Sequence, residues 1–598
     1  MIDKIRFRIR SLHFACNRGL CPAARPVYGD LIISSGSSGG ILTDGARENC
    51  RHTKDAQSCC FRQGLSVVLT TCPPAASPIA MEEETKTPAG VVITTDARSD
   101  ETPAPNGDNV STISSKVPWS MKVIAVILVT SIGFGSHWAS GVTGAMKSTL
   151  KKELNISNTQ YSVMTSSSDF MVTALILVTG SVTDRMGGAN AMLYGNVIYT
   201  IGSILIAAAC QVRSYKFMIV ATIVQSLGDI ATQVAQYKIF TSWFAPSNGF
   251  ASTLGFELGI GKIGQFVGQA TANIIAENLG DFAWVYWMAV FMNVFTNFNT
   301  LAFYYFNKWS EKRYGNLTDP ATGEKLTEKN KKFEIKKTLE LPWPYWLVIA
   351  FSIFETSTAI VFSSNATELA QQRFNVSAVT AGWYSALSQY MGFFLVPLVG
   401  LFIDILGRRL YIMLVCGSGV CLAMCLAAWG PTQGGTAASF GVYAFALSLG
   451  PTVIVDSIRT SMWYQEVFGT AYGIKIGINN CMNIIVAIVT GVIQDEDNNS
   501  YDRVVIVYVF LSGASALVAL INCTIAHFNP DLGRLQWSRK KRIANGAVIQ
   551  DLKRKFEEHE RGGRNRTISL ACFGGMILLT LGAWAAYFWG LAEGGNYL

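Results

Sequence analysis

Gly180-Ser181-Val182-Thr183-Asp184-Arg185-Met186-Gly187 is answered 220 residues later by Gly400-Leu401-Phe402-Ile403-Asp404-Ile405-Leu406-Gly407-Arg408-Arg409. Glycine, aspartate and glycine keep one spacing in both stretches, and each stretch lies between two long apolar runs. Two further blocks repeat in the same order. Asn155-Ile156-Ser157 returns as Asn375-Val376-Ser377 at the same offset. Phe250, Gly255, Gly259 and Ile260 return as Phe468, Gly473, Gly477 and Ile478 at offset 218. Three ordered blocks at nearly one offset indicate a duplicated unit.

The apolar runs around these blocks place the unit in a bilayer. Each is about twenty residues long, enough to cross a hydrocarbon core at 1.5 Å per residue. Charged residues are 15% of the 598, against roughly a quarter in soluble domains. Candidate spans fall at 120–142, 162–183, 188–209, 217–241, 250–276 and 283–306, then at 343–363, 379–403, 409–430, 438–464, 470–494 and 503–527. A thirteenth apolar run covers 568–590. The expected fold is an all-α integral membrane protein of two six-helix bundles, 117–306 and 342–530. A polar linker, 307–341, joins them. A basic amphipathic linker, 531–566, leads to a thirteenth helix over 567–592, and Ile549, Leu552 and Phe556 suit the linker to a membrane surface.

Residues 1–116 hold no span and read as a disordered tail. Its opening, with Arg6, Arg8 and Arg10, resembles a transit peptide; alternatively 1–80 are a gene-model extension and translation starts at Met81. The six cysteines from Cys16 to Cys72 match no zinc spacing.

Lysine and arginine bias sets the orientation. With a cytosolic N-terminus, the basic loops, including 307–341, Arg185, Arg408 and Arg409, face the cytosol; Lys147, Lys151 and Lys152 are the exception. The sequons at Asn155, Asn365, Asn375 and Asn498 then all face the other side. The net charge of +8 resides in these loops, so it does not call for a nucleic-acid partner. The sequence shows no zinc-finger, P-loop, dinucleotide or helix-borne metal motif. We expect no catalytic residues, no metal and no cofactor.

Ionisable residues inside spans are costly and mark functional positions. Gln225, Asp229, Gln233 and Gln236 form one polar stripe on the fourth span. The fifth span carries Glu257 and Lys262, the seventh Glu355, and the eleventh Lys475 with Asn479 and Asn480; His137 lies in the first. Lys262 is suited either to a substrate carboxylate or to neutralising Asp229 or Glu257. Asp456 and Arg459, one turn apart, are expected to form an internal pair. Glu257 and Lys475 occupy equivalent repeat positions with opposite charge, which makes either a cross-half gate or a coincidence. His137 serves as a packing residue or a proton carrier.

Taken together, Gly180, Asp184, Arg185 and Gly187 with Gly400, Asp404, Gly407, Arg408 and Arg409 resemble the loop signature of the major facilitator superfamily, G-x-x-x-D-(R/K)-x-G-(R/K)-(R/K). The first copy has Gly188-Ala189 in place of the two closing cations, and the second has no cation after Asp404. The resemblance covers about 117–530 and implies that these residues gate the carrier by latching one conformational state. A narrower resemblance runs through Phe134-Gly135-Ser136, Leu154-Asn155, Gln160-Tyr161, Ala235-Gln236, Ser242-Trp243-Phe244 and Gly469-Thr470-Ala471-Tyr472-Gly473 with Asn479. These stretches are similar to the lysosomal dipeptide-transporter branch of that superfamily. The branch implies facilitated transport of dipeptides at a lysosomal or vacuolar membrane, with the plasma membrane as the alternative, and a cation on the fifth span where Lys262 stands. Ser140-Gly141 replaces an aromatic–acidic pair of the branch, and Asp229 is the one candidate for its fourth-span acid.

The expected function is a secondary transporter of small polar solutes, binding substrate through Lys262, Asp229, Gln225, Gln233, Glu257, His137, Asn479 and Asn480. Its partners are that solute, the lipid bilayer and an accessory membrane protein, with a monomer or homodimer as the unit. One alternative is a proton-coupled transporter of a sugar, monocarboxylate or organic anion, using Asp229, Glu257 or Glu355. Another is a non-transporting receptor or scaffold docked through its last helix. Removal of 531–598 separates the two classes, since a transporter should keep most of its flux.

Overall fold

The computed structural model describes residues 118–246, 249–314, 335–464, 467–558 and 562–594. The tail 1–116, with its cysteines and Met81, and most of the 307–341 linker lie outside the described residues.

The described residues form helices joined by short turns. The N-terminal half runs α1 (Trp119–Ala145), α2 (Lys147–Leu154), α3 (Asn158–Met186), α4 (Gly188–Val212), α5 (Tyr215–Trp243), α6 (Phe250–Leu279) and α7 (Ala283–Tyr314). After the short α8 (Ile335–Leu339), the C-terminal half runs α9 (Trp343–Phe374), α10 (Ala378–Leu406), α11 (Arg409–Trp429), α12 (Gln433–Leu447), α13 (Gly450–Ser461), α14 (Phe468–Glu496) and α15 (Asp502–Phe528). A tail follows of α16 (Pro530–Gly533), α17 (Arg539–Ala544), α18 (Gly546–Glu557) and the long α19 (Gly562–Glu593).

Ten spans are long and apolar enough to cross a membrane, with α12 and α13 counted together and α19 included; α3 makes eleven when its two parts count as one. The 30-residue α6 and 32-residue α7 fall short in hydropathy. Glu257 and Lys262 interrupt α6, while Asn293, Asn297 and Asn299 interrupt α7. Those polar groups are turned inward. Asn293 donates to Ser203 at 2.7 Å and Asn297 to Thr200 at 2.6 Å, both on α4. Lipid cannot satisfy such groups, so neighbouring helices do.

The repeated Asn-x-Ser block is a corner between two helices. Asn155 and Asn375 both take the left-handed conformation, with φ of 51°. Ser157 and Ser377 then cap α3 and α10 by accepting N–H bonds from Gln160 and Thr380. Asparagine tolerates that backbone, and serine is a preferred N-cap. The Phe250 block marks the meeting of the halves: Phe250 and Phe468 open α6 and α14 and pack edge to face, 6.1 Å between ring centres.

Two expectations change here. Asn365 is buried in α9, where its Nδ2 donates to Tyr508 at 2.8 Å, so it is no surface sequon. The apolar face of α18 is also already used: Ile549, Leu552 and Phe556 pack on Trp463, Tyr464 and Trp537.

Candidate functional site

The two repeat loops close one end of the bundle. Asp184, at the end of α3, accepts at Oδ2 from the Thr470 backbone N–H at 3.0 Å and from its hydroxyl at 2.6 Å. Its Oδ1 pairs with buried Lys238 at 2.8 Å. Asp404, at the end of α10, accepts from the Ser252 N–H at 2.7 Å and from the Ser252 hydroxyl. Thr470 and Ser252 are the third residues of α14 and α6. Each aspartate therefore meets the positive end of a helix in the opposite half. Gly180 and Gly400 let the helices approach this closely: a β-carbon on Gly180 would lie 3.0 Å from the Thr470 Cα, and one on Gly400 would collide with the Ala251 carbonyl. Gly407 has φ of 73° and lies under the Trp537 carbonyl, so it turns where a side chain has no room. Gly187 turns likewise, at φ of 83°, and Arg185 and Arg408 are exposed beside the turns.

Arg409 is fully buried and pairs with Asp456. This replaces the expected Asp456–Arg459 pair. The Arg459 guanidinium turns away to lie over the Phe250 and Phe468 rings, 5.9 and 5.7 Å from their centres, and donates to the Thr241 carbonyl. Spacing along one helix could not show that Arg409 reaches Asp456 from α11. The tail locks on at this end: Arg409 donates to the Leu535 carbonyl at 3.0 Å and Arg542 to the Pro246 carbonyl of the N-terminal half at 3.0 Å. Removing 531–598 would therefore strip contacts from the loop itself, which revises the expectation that flux survives it.

At the opposite end, Lys147 and Lys151 of α2 converge on Glu368 of α9, at 2.9 and 2.8 Å. Tyr501 donates to the same carboxylate at 2.6 Å. Asp495 of α14 accepts from the backbone N–H groups of Asn158 and Thr159, at 3.0 and 2.8 Å, in the first turn of α3. These lysines broke the charge-bias rule because they are pairing residues, not topology signals.

Between the two ends lie two adjoining cavities of about 440 and 240 Å³. Gln225, Asp229, Gln233, Asn479 and Asn480 line the larger, together with Asp169 of α3. Lys262, Glu355, Gln265 and Gln389 line the smaller. Lys475 and Tyr472 line both. Lys262 donates to Gln389 at 2.8 Å and Gln265 at 3.2 Å, so it neutralises neither Asp229 nor Glu257. Asp229 is held by Gln233 at 3.0 Å. Glu257 and His137 stand behind the wall, 3.5 Å apart, with Gln236 donating to Glu257 at 3.1 Å. Glu257 and Lys475 do not meet. Asn479 donates to Ser352 at 2.9 Å. Asp169 was not singled out from the sequence, although an acid inside a candidate span is the signal that marked Asp229.

The family model described as Major Facilitator Superfamily matches residues 129–487. The chain belongs to the major facilitator superfamily. It is thus a multi-pass membrane protein from a family of transporters, not of enzymes. This facilitator is 21% identical over 442 residues to the lysosomal dipeptide transporter MFSD1 of Mus musculus, covering 70% of this chain and 89% of that protein. The Bos taurus protein of the same name is 20% identical, with the same coverage. Among solved structures, the proton:xylose symporter XylE, bound to 6-bromo-6-deoxy-D-glucose, aligns at a TM-score of 0.51 and 14% identity, covering 68% of this chain and 95% of that one. The transporter FucP in the outward conformation aligns at 0.51 and 14%, covering 67% and 99%. These two likenesses concern the fold alone.

Proposed function

We propose that this facilitator moves small zwitterionic solutes, dipeptides first among them, by alternating access across a lysosomal or vacuolar membrane. One observation carries the reading: charges of opposite sign line two adjoining cavities. Lys262 and Lys475 offer cations, and Asp169 and Asp229 offer carboxylates. A peptide with free termini presents the complementary carboxylate and ammonium groups, while the glutamine and asparagine side chains suit its amide. Desolvated charges of this kind interact far more strongly than in water. The relatives' name supports the dipeptide and the compartment. Charge bias puts the loop end in the cytosol and the α2 end in the lumen.

Uptake of a dipeptide into proteoliposomes tests the assignment. Lys262→Ala should reduce it at least about tenfold, the loss expected when a charge-assisted bond of roughly 1.5–3 kcal/mol is removed, while thermal unfolding stays close to wild type. Unchanged uptake would sink the assignment. A second reading is proton-coupled transport of a sugar or organic anion, favoured by Glu355. That carboxylate is buried beside the smaller cavity, where Thr356 at 3.0 Å and Cys416 at 3.7 Å are its hydrogen-bond donors among the described residues. Uptake that ignores an imposed pH gradient would exclude it.

A further inference from the structure

α19 lies against both halves along the seam between α3 and α14. Near the loop end it is fastened to the C-terminal half. Asn565 accepts from the Trp343 backbone N–H at 2.8 Å and donates to the Leu341 carbonyl at 3.0 Å, and the Trp346 indole donates to Ser569 at 3.2 Å. From mid-span toward the α2 end it is also fastened to the N-terminal half, while Ala583 and Tyr587 keep packing on Ile484 and Ile488 of α14. Tyr587 and Ser167 share a hydrogen bond of 2.8 Å, and the Trp584 indole donates to Thr173 at 2.9 Å. Phe170 stacks on Tyr587 at 4.6 Å and meets Trp584 at 5.5 Å.

The same seam forms a wall of the larger cavity, through Ser162, Ser166 and Asp169 on α3 and Asn479, Asn480 and Asn483 on α14. Polar groups at that depth are costly against lipid. The Ser167 and Thr173 hydroxyls donate within α3, to the Val163 and Phe170 carbonyls at 2.7 Å each, and take their hydrogen bonds to another helix from α19, whose other face exposes Ile577, Leu578 and Leu581.

We propose that α19 is a membrane-embedded strap. It crosses the seam diagonally, seals the cavity wall from lipid, and holds the α2 end closed by tying α3 to a helix anchored on the opposite half. Opening the α2 end requires α3 to part from α14, which breaks the Tyr587–Ser167 and Trp584–Thr173 bonds or drags α19 off its anchor. The strap acts on the equilibrium between closed and open forms whatever the solute, so it stands apart from the dipeptide assignment.

Hydrogen exchange on the full-length chain in lipid nanodiscs, without solute, tests this. The double variant Tyr587→Phe/Trp584→Phe leaves an aromatic ring at each position and removes both hydrogen bonds. Exchange should rise about tenfold over 147–160 and 494–502, the loss of two bonds of ordinary strength, with 180–187 and 467–472 unchanged. The lipid-face variant Leu578→Ala should leave both ends as in wild type. An unchanged α2 end, an equal rise at both ends, or the same rise in Leu578→Ala would each overturn the strap.

Discussion

The two ends of the bundle are closed by different physics. At the loop end the closure is symmetric: Asp184 meets the first turn of α14, and Asp404 meets the first turn of α6. At the α2 end one such contact, Asp495 on the first turn of α3, stands beside a one-sided ion cluster. Lys147 and Lys151 belong to the N-terminal half alone, and the repeat-equivalent positions are Thr367 and Gln371. A duplicated fold thus supplies one lock twice, from backbone dipoles, whereas the α2 end adds an ion cluster that the repeat does not duplicate. That cluster concentrates two cations on one acid, Glu368.

That contrast can be broken at Glu368. Glu368→Gln leaves two largely buried lysines without their acid, which by the usual cost of stranding a buried partner destabilises by about 3–5 kcal/mol. Thermal unfolding in detergent should show the largest loss of any variant named here, and a loss under about 1 kcal/mol would mean the cluster is solvated in the manner of a surface pair. Asp184→Asn comes next, because it weakens the helix-end contact and also removes the 2.8 Å ion pair with Lys238. Asp404→Asn should cost less, about 0.3–2 kcal/mol, since it loses the helix-end charge alone. Equal losses for the two aspartates would mean that Lys238 contributes nothing to the latch. Lys152→Ala, exposed on α2 beside the locking lysines, should stay within about 0.5 kcal/mol of wild type. A larger change there would show that total charge on α2, not the Lys147–Glu368 contact, closes that end.

The symmetric lock could be read from the sequence because repetition carries it. Gly180, Asp184 and Gly187 recur in register with Gly400, Asp404 and Gly407, and the partners Ser252 and Thr470 sit beside the Phe250 and Phe468 blocks. Apolar runs likewise announced the helices, and buried charge announced Lys262 and Asp229. The one-sided lock was hidden because its members are 217 residues apart and share no pattern. Lys147 and Lys151 even looked like a topology error. Arg459 misled for a related reason: spacing along α13 suggested Asp456, while the fold brings Arg409 to that acid from another helix. Nothing in an apolar run could show that α19 buries Tyr587 against Ser167.

The central claim is that the cavities recognise both termini of a small zwitterion. Proteoliposomes preloaded with an unlabelled dipeptide, and challenged outside with the labelled dipeptide, its N-acetyl form or its C-terminal amide, test it most directly. The account predicts exchange of the free dipeptide and little of either blocked form, with Lys262→Ala abolishing the preference for the free carboxylate. Equal exchange of all three, or none of any, would contradict it.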